Sequence, residues 1–155
     1  MSEQAEERSW RDIRPVALAA VTREADGVEE LLVLELHDEA ADETFYRPPG
    51  GGVQFGEAAA DAAEREFAEE LDRTATATER LAVIENRFSF DGEAGHEYDF
   101  VFRVEPDDDS LYGREELTAT ETDGSEYRVT WEPLDSVRRD DAPPLYPEGL
   151  LGLFG

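Results

Sequence analysis

Glu66, Glu69 and Glu70 stand at spacings i, i+3 and i+4, and on a helix those positions share one face. Carboxylates placed this way repel one another and weaken an isolated helix. A divalent cation turns that repulsion into attraction. Magnesium prefers hard oxygen ligands and usually shares them among a few carboxylates, water and a substrate phosphate. Arg65 lies i, i+4 from Glu69 and is placed to orient it. Gly50, Gly51 and Gly52 come shortly before. Glycine tolerates close backbone approach, so the amides and carbonyls of this loop could face a metal or a phosphate.

The helix that must carry these carboxylates runs over Glu57 to Leu71, with Ala60, Ala63, Phe67 and Leu71 on one arc to pack against a sheet. Strands are predicted over Arg14 to Arg23 and Leu31 to Leu36, joined as a hairpin through the turn at Ala25-Asp26-Gly27. His37 to Glu43 reads as an acidic loop. Phe45 to Arg47 is short and extended, kept out of helix by Pro48 and Pro49. Leu81 to Phe90 and His96 to Val104 read as strands. In the latter, Tyr98, Phe100, Phe102 and Val104 share one face, and Glu97, Asp99 and Arg103 the other. Residues 106–125 read as an acidic loop and Tyr127 to Trp131 as a strand. Leu134 to Arg139 reads as a short helix, and Pro147 to Phe154 as a small apolar one. Strands dominate, with one helix mid-chain, which gives an α+β class. Residues 1–10 look like a flexible acidic tail, and 11–155 like a single domain.

The chain has 155 residues and a net charge of −26; all 14 of its basic residues are arginine. So acidic a surface repels itself in dilute buffer, whereas about 1 M salt shortens the screening length to roughly 3 Å. The composition therefore points to a halophilic chain, from a salty cytoplasm. The same charge argues against nucleic acid and anionic membrane as partners. Cysteine is absent, so disulfides and thiolate chemistry are excluded. The polar start is unlike a secretory signal, and no apolar run approaches the ~18 residues of a membrane helix. A cytoplasmic location is expected.

Among 40 acidic residues, a row of glutamates by itself reads as a solvated helix face. The wider spacing decides otherwise. Gly51, five residues, Glu57, seven residues, Arg65-Glu66-Phe67, one residue and Glu69-Glu70 follow the pattern G-x5-E-x7-R-E-(apolar)-x-E-E-x-G-(apolar), the Nudix box. Two positions depart: Asp72 replaces a glycine and Arg73 an apolar residue. A glycine there would be a left-handed helix cap, a conformation aspartate tolerates better than most residues. Beyond the box, the chain resembles the Nudix family over about residues 13–154, through IRPVALAAV, PPGGGVQFGE, the stretch Asn86 to Phe102 and the closing WEPLDSV and LYPEGLLGLF.

That resemblance implies a mixed β-sheet sandwiched between helices, and hydrolysis of a phosphoanhydride bond in a nucleoside diphosphate linked to another moiety. It implies a metal site of Gly51, Glu57, Glu66, Glu69 and Glu70 holding Mg²⁺, with Mn²⁺ as the alternative, and Arg65 as the orienting arginine. The general base would be a box glutamate or a residue from elsewhere, with Glu97 the outside candidate beside His96. Arg47, Arg14 and Arg87 are the candidate substrate-phosphate ligands, with Arg103 behind them; Tyr46, Phe88 and Tyr98 are candidates for stacking on a base. The implied partner is a small nucleotide, and the chain a monomer or homodimer. The alternative reading is a non-catalytic Nudix-fold nucleotide-binding regulatory module, which would be expected to lose box carboxylates; here Glu57, Glu66, Glu69, Glu70 and Arg65 all remain.

Overall fold

The architecture follows from alternation along the first strand. In the computed structural model, which describes residues 12–154, that strand is β1 (Arg14–Ala20). Then come β2 (Thr22–Ala25), β3 (Val28–Asp38), β4 (Glu43–Arg47), β5 (Gly50–Gly52), helix α1 (Ala59–Leu71), β6 (Ala75–Phe90) and β7 (Glu93–Pro106). A 3₁₀ turn (Asp109–Gly113), β8 (Glu116–Thr120), β9 (Glu126–Pro133), the short α2 (Leu134–Val137) and a 3₁₀ turn (Leu151–Phe154) complete the order. The expected acidic tail, residues 1–10, lies outside the described residues.

The strands form two sheets. One has the order β5-β1-β7-β6, and the other β2-β3-β9-β8 with β4 added on β3. The β1–β7 pair is parallel, while β5 and β6 pair antiparallel with their neighbours. Side chains of a strand point alternately to opposite faces. Ala17, Ala19 and Val21 therefore enter a cluster with Leu32, Leu34, Phe67 and Leu71, under α1. Val16, Leu18 and Ala20 enter a second cluster with Leu31, Val33, Leu134, Val137, Leu150 and Phe154, under α2 and the C-terminal turn. Helical segments thus cover opposite sides of the strands, and the expected α+β class is borne out, with the strands in two sheets instead of one. Phe67 is fully buried, and truncating such a side chain costs about 3–5 kcal/mol.

Several local expectations need correction. The first apolar stretch is two strands: β1 joins one sheet, the chain crosses at buried Val21, and only β2 forms the hairpin with β3. Acidic residues disguise the ends of β3 and β4, so the loop read over His37 to Glu43 is shorter; the strands pair as far as Asp38 and Glu43. Residues 106–125 hold a 3₁₀ turn and β8, whose alternating Leu117 and Ala119 pack inward among outward charges. On β7 the face read as polar is covered as well: Val101 is fully buried and Asp99 is 1% exposed, because β7 lies inside its sheet. The helix begins at Ala59, after a turn in which Glu57 N–H donates to Gln54 O. The C-terminal apolar run makes only a 3₁₀ turn.

Candidate active site

The glycine loop and α1 are brought together by β1. Gly50, Gly51 and Gly52 pair with Leu18, Ala17 and Val16, and α1 packs over the same strands through Ala62, Ala63, Phe67 and Leu71. A Cβ at Gly50 would lie 2.2 Å from Ala17 O and 2.9 Å from Leu18 Cα, so only glycine lets β5 approach β1 this closely. A Cβ at Gly51 would lie 2.5 Å from the Glu66 carboxyl carbon; the missing side chain is the space in which that carboxylate sits. The helix ends on Asp72, whose left-handed backbone (φ 53°, ψ 42°) lets its N–H donate to Ala68 O. The aspartate thus performs the capping that the family pattern gives to glycine.

Arg65 organises the acidic face. Its Nε donates to Glu57 Oε2 at 2.8 Å and its Nη2 to Glu57 Oε1 at 3.0 Å. Nη2 also reaches Gly52 O at 3.0 Å, while Nη1 reaches Glu66 Oε1 at 2.9 Å and both Glu69 oxygens at 3.4 Å. The planar fork suits such bidentate pairing. Its main partner is Glu57, with the expected Glu69 at longer range. The Arg65 hydrogen bonds, helped by the Gln54 N–H, hold the Glu57 pKa down at about 2.

Glu70 is in the opposite situation. It is 3% exposed; Oε1 accepts the Gly50 N–H at 2.8 Å, and Oε2 is buried with no partner. Burial pushes its pKa up to about 9, with Glu121 adding to the rise and Arg47 opposing it. A buried carboxylate oxygen left bare costs free energy unless a charge or donor meets it.

Two cavities adjoin here. The smaller, about 370 Å³, is lined by Gly50, Gly51, Gly52, Glu66, Glu69 and Glu70, by Arg14 and Arg47, and by Thr120, Glu121 and Thr122. The larger, about 610 Å³, shares Arg14 and Arg47 and continues along Leu36, Asp38, Glu43, Phe45, Glu85 to Phe90, Glu97, Tyr146 and Glu148. Three of the glutamates singled out in the sequence thus share one cavity with Gly51, Arg14 and Arg47. Glu57 stands behind them on Arg65, and Glu97 and Arg87 line the larger cavity. Arg103 lies elsewhere, 3.9 Å from Glu79. Of the aromatic candidates, Phe88 lines the larger cavity; Tyr98 gives its hydroxyl to Glu85, and Tyr46 packs against the second core cluster. His96 bonds to Glu85 at 3.0 Å.

Sequence reasoning missed Thr120, Glu121 and Thr122. They enter from the end of β8, in a segment read as loop, and only the pairing of β8 with β9 brings them here. Glu121 lies 3.9 Å from Arg47.

Among the described residues, no three acidic or histidine side chains converge closely enough to hold a metal ion as they stand. Arg65 draws Glu66 and Glu69 toward itself, and Gly50 holds one oxygen of Glu70. The donor set nevertheless suits a hard divalent cation: carboxylate oxygens beside a glycine loop, including the unpartnered Glu70 Oε2.

Solved structures show the same fold. A NUDIX-family hydrolase from Clostridium perfringens superposes with a TM-score of 0.60 at 15% identity, over 92% of this chain and 93% of that one. The MutT NUDIX hydrolase from Burkholderia pseudomallei gives 0.55 at 23%, over 92% and 96%. A C. elegans Ap4A hydrolase in a binary complex gives 0.51 at 21%, over 84% and 88%. No curated protein matches the chain. The NUDIX domain family matches residues 12–149, a span that holds both cavities and the whole of α1, and the chain belongs to that family.

Proposed function

We propose that this chain hydrolyses a phosphoanhydride bond in a nucleoside diphosphate linked to another moiety, with Mg²⁺, or Mn²⁺ in its place. The observation that carries this reading is the bare, buried Oε2 of Glu70 in a cavity with Glu66, Glu69, Arg14 and Arg47. Glu66, Glu69 and Glu70, with the Gly51 carbonyl, would hold the cation; Arg65 holds Glu57, Glu66 and Glu69 in place for it. Bound there, a divalent ion supplies Lewis acidity toward phosphate oxygens and lowers the pKa of a coordinated water.

The chain's own residues do the rest. Arg14 and Arg47, at the junction of the two cavities, bind the diphosphate and align it with the helix carboxylates. The proton of the attacking water passes to a carboxylate as the new P–O bond forms and the bridging P–O bond breaks. Glu69 and Glu121, both lining the smaller cavity, are placed to accept it; Glu97, across the junction, faces the other half of the substrate. The acidic surface, with a net charge of −26, is read as adaptation to concentrated salt in a cytoplasm.

The deciding experiment is a panel of nucleoside-diphosphate-linked compounds assayed in molar salt with Mg²⁺, wild type against Glu69→Gln. Turnover by the wild type and its loss in the variant are expected. No turnover of any compound would count against the enzymatic reading; full activity in the variant would count against the assigned cation site.

A further inference from the structure

The larger cavity has a polarity along its length, set by alternation on β3 and β4. Glu43, Phe45 and Arg47 are alternate residues of β4 and all line the cavity. Their cross-strand partners on β3 are Asp38, Leu36 and Leu34. From the junction outward the wall therefore runs from a guanidinium, through apolar Phe45 and Leu36, to Asp38 and Glu43. At about 3.3 Å per residue, the two ends of β4 lie roughly 13 Å apart, a span suited to a phosphate, a sugar and a base in line.

The middle of this path is aromatic. Phe45 meets Phe90 edge-on at 5.9 Å and Tyr146 at 5.4 Å. The outer end is acceptor-rich. Asp38 and Glu43 are direct cross-strand partners, an arrangement that is unfavourable for like charges unless something lies between them. Asp38 is 6% exposed, and the two hydrogen bonds it receives, from Ala41 N–H and Asp91 N–H, both reach Oδ1. Glu43 accepts the Tyr146 hydroxyl on Oε1. Each carboxylate thus has its other oxygen to offer, and a carboxylate can only accept.

We propose that this cavity selects a nucleobase with an amino group at its far edge, adenine or cytosine, over the oxo counterparts hypoxanthine and uracil. The proposal rests on the nucleotide reading above and adds the base to it. An exocyclic amino group carries two N–H donors at one point, enough for two facing carboxylates, and bonds to ionised acceptors are the stronger kind. An oxo group in the same place turns lone pairs toward both. Sites built to hydrogen-bond a particular group reject the analogue lacking it strongly.

The test uses matched pairs of equal charge and nearly equal size: ADP against IDP and CDP against UDP, titrated onto the full chain with Mg²⁺ in molar salt. ADP and CDP are expected to bind at least about tenfold more tightly than IDP and UDP. In Glu43→Gln, which puts a donor at the outer end, both ratios are expected to fall toward one; a cooperative melt shows whether that variant is folded. If it is not, the wild-type ratios decide alone. Equal binding within both pairs, or a preference for the oxo bases, overturns the selectivity and leaves the nucleotide reading standing. Failure of all four to bind overturns the nucleotide reading, and the selectivity with it.

Discussion

Gly50 donates its backbone N–H to Glu70 Oε1 at 2.8 Å and leaves Glu70 Oε2 buried and bare. One oxygen is thus fixed by the glycine loop, and the other is the one proposed above to meet the cation. Replacing the carboxylate by an amide keeps the shape and removes the charge. Glu70→Gln is expected to lower turnover by about 100-fold or more, with Mg²⁺ affinity weakened in titration. Its thermal stability without added metal should equal or exceed wild type, because burial penalises the ionised form of the Glu70 carboxyl, pushing its pKa up to about 9, and an amide has no ionised form to penalise. A fully active variant would remove Glu70 from the cation site.

The two central glycines separate catalysis from folding. A methyl group at Gly50 meets backbone atoms of Ala17 and Leu18, which cannot move, whereas one at Gly51 meets only the end of the Glu66 side chain. Gly50→Ala is therefore expected to destabilise the fold, by about 1–3 kcal/mol in denaturant titration. Gly51→Ala should fold normally and lose activity. The reverse outcome would contradict the packing described.

The acidic face depends on one guanidinium. Arg65→Lys keeps the positive charge but cannot hold both Glu57 oxygens and Gly52 O as a planar fork does. A fall of about 10- to 100-fold in Mg²⁺ affinity or activity is expected. Retention of wild-type metal dependence would show that the charge alone suffices.

These outcomes bear on what the sequence could reveal. The Gly51 to Glu70 segment was legible because its members lie within one loop and one helix, where spacing translates directly into geometry. Asp72 as a left-handed cap was legible for the same reason. Glu121 was not, since it joins the site through β8, fifty residues beyond the helix in a chain crowded with acids. Nor was the burial of Asp99 legible: strand alternation says that Asp99 and Glu97 share a face, not that β7 lies between β1 and β6 with Asp99 1% exposed. The split between β1 and β2 was hidden because Val21 continues the apolar run across the break.

Asp99 gives the fold a pH signature. Burial, then the neighbouring Glu97 carboxylate, push its pKa from 3.8 up to about 8, against Asn86 and Arg47. The folded chain keeps that proton in a range where the unfolded chain has lost it. The contribution to stability is fully present below 3.8 and is lost as pH rises through about 8. Asp99→Asn should flatten this decline and be the more stable protein at the alkaline end. Melting curves across that range at constant molar salt test it; an unchanged slope would assign the decline to other groups.

Asp38 pins the tip of the β6–β7 hairpin. Its Oδ1 accepts the N–H of Asp91, in the hairpin turn, and that of Ala41. Asp38→Ala leaves both amides without that acceptor, a cost of about 1–3 kcal/mol, and frees the wall that carries Phe88 and Phe90. Steady-state kinetics should show KM rising more than kcat falls, because the helix carboxylates are untouched. A kcat defect with unchanged KM would contradict this.

The first strand has a further consequence. β1 is hydrogen-bonded on one edge to the glycine loop and on the other to β7, which carries Glu97 opposite Arg14. Both cavities are therefore gauged from one rigid rail, whose two faces are locked into separate cores. A slip of one residue would exchange those cores and so cannot be tolerated. The offset between the glycine loop and Glu97 is thereby held constant. What can vary independently of that rail is the wall contributed by the other sheet, through β3, β4 and the β8–β9 turn.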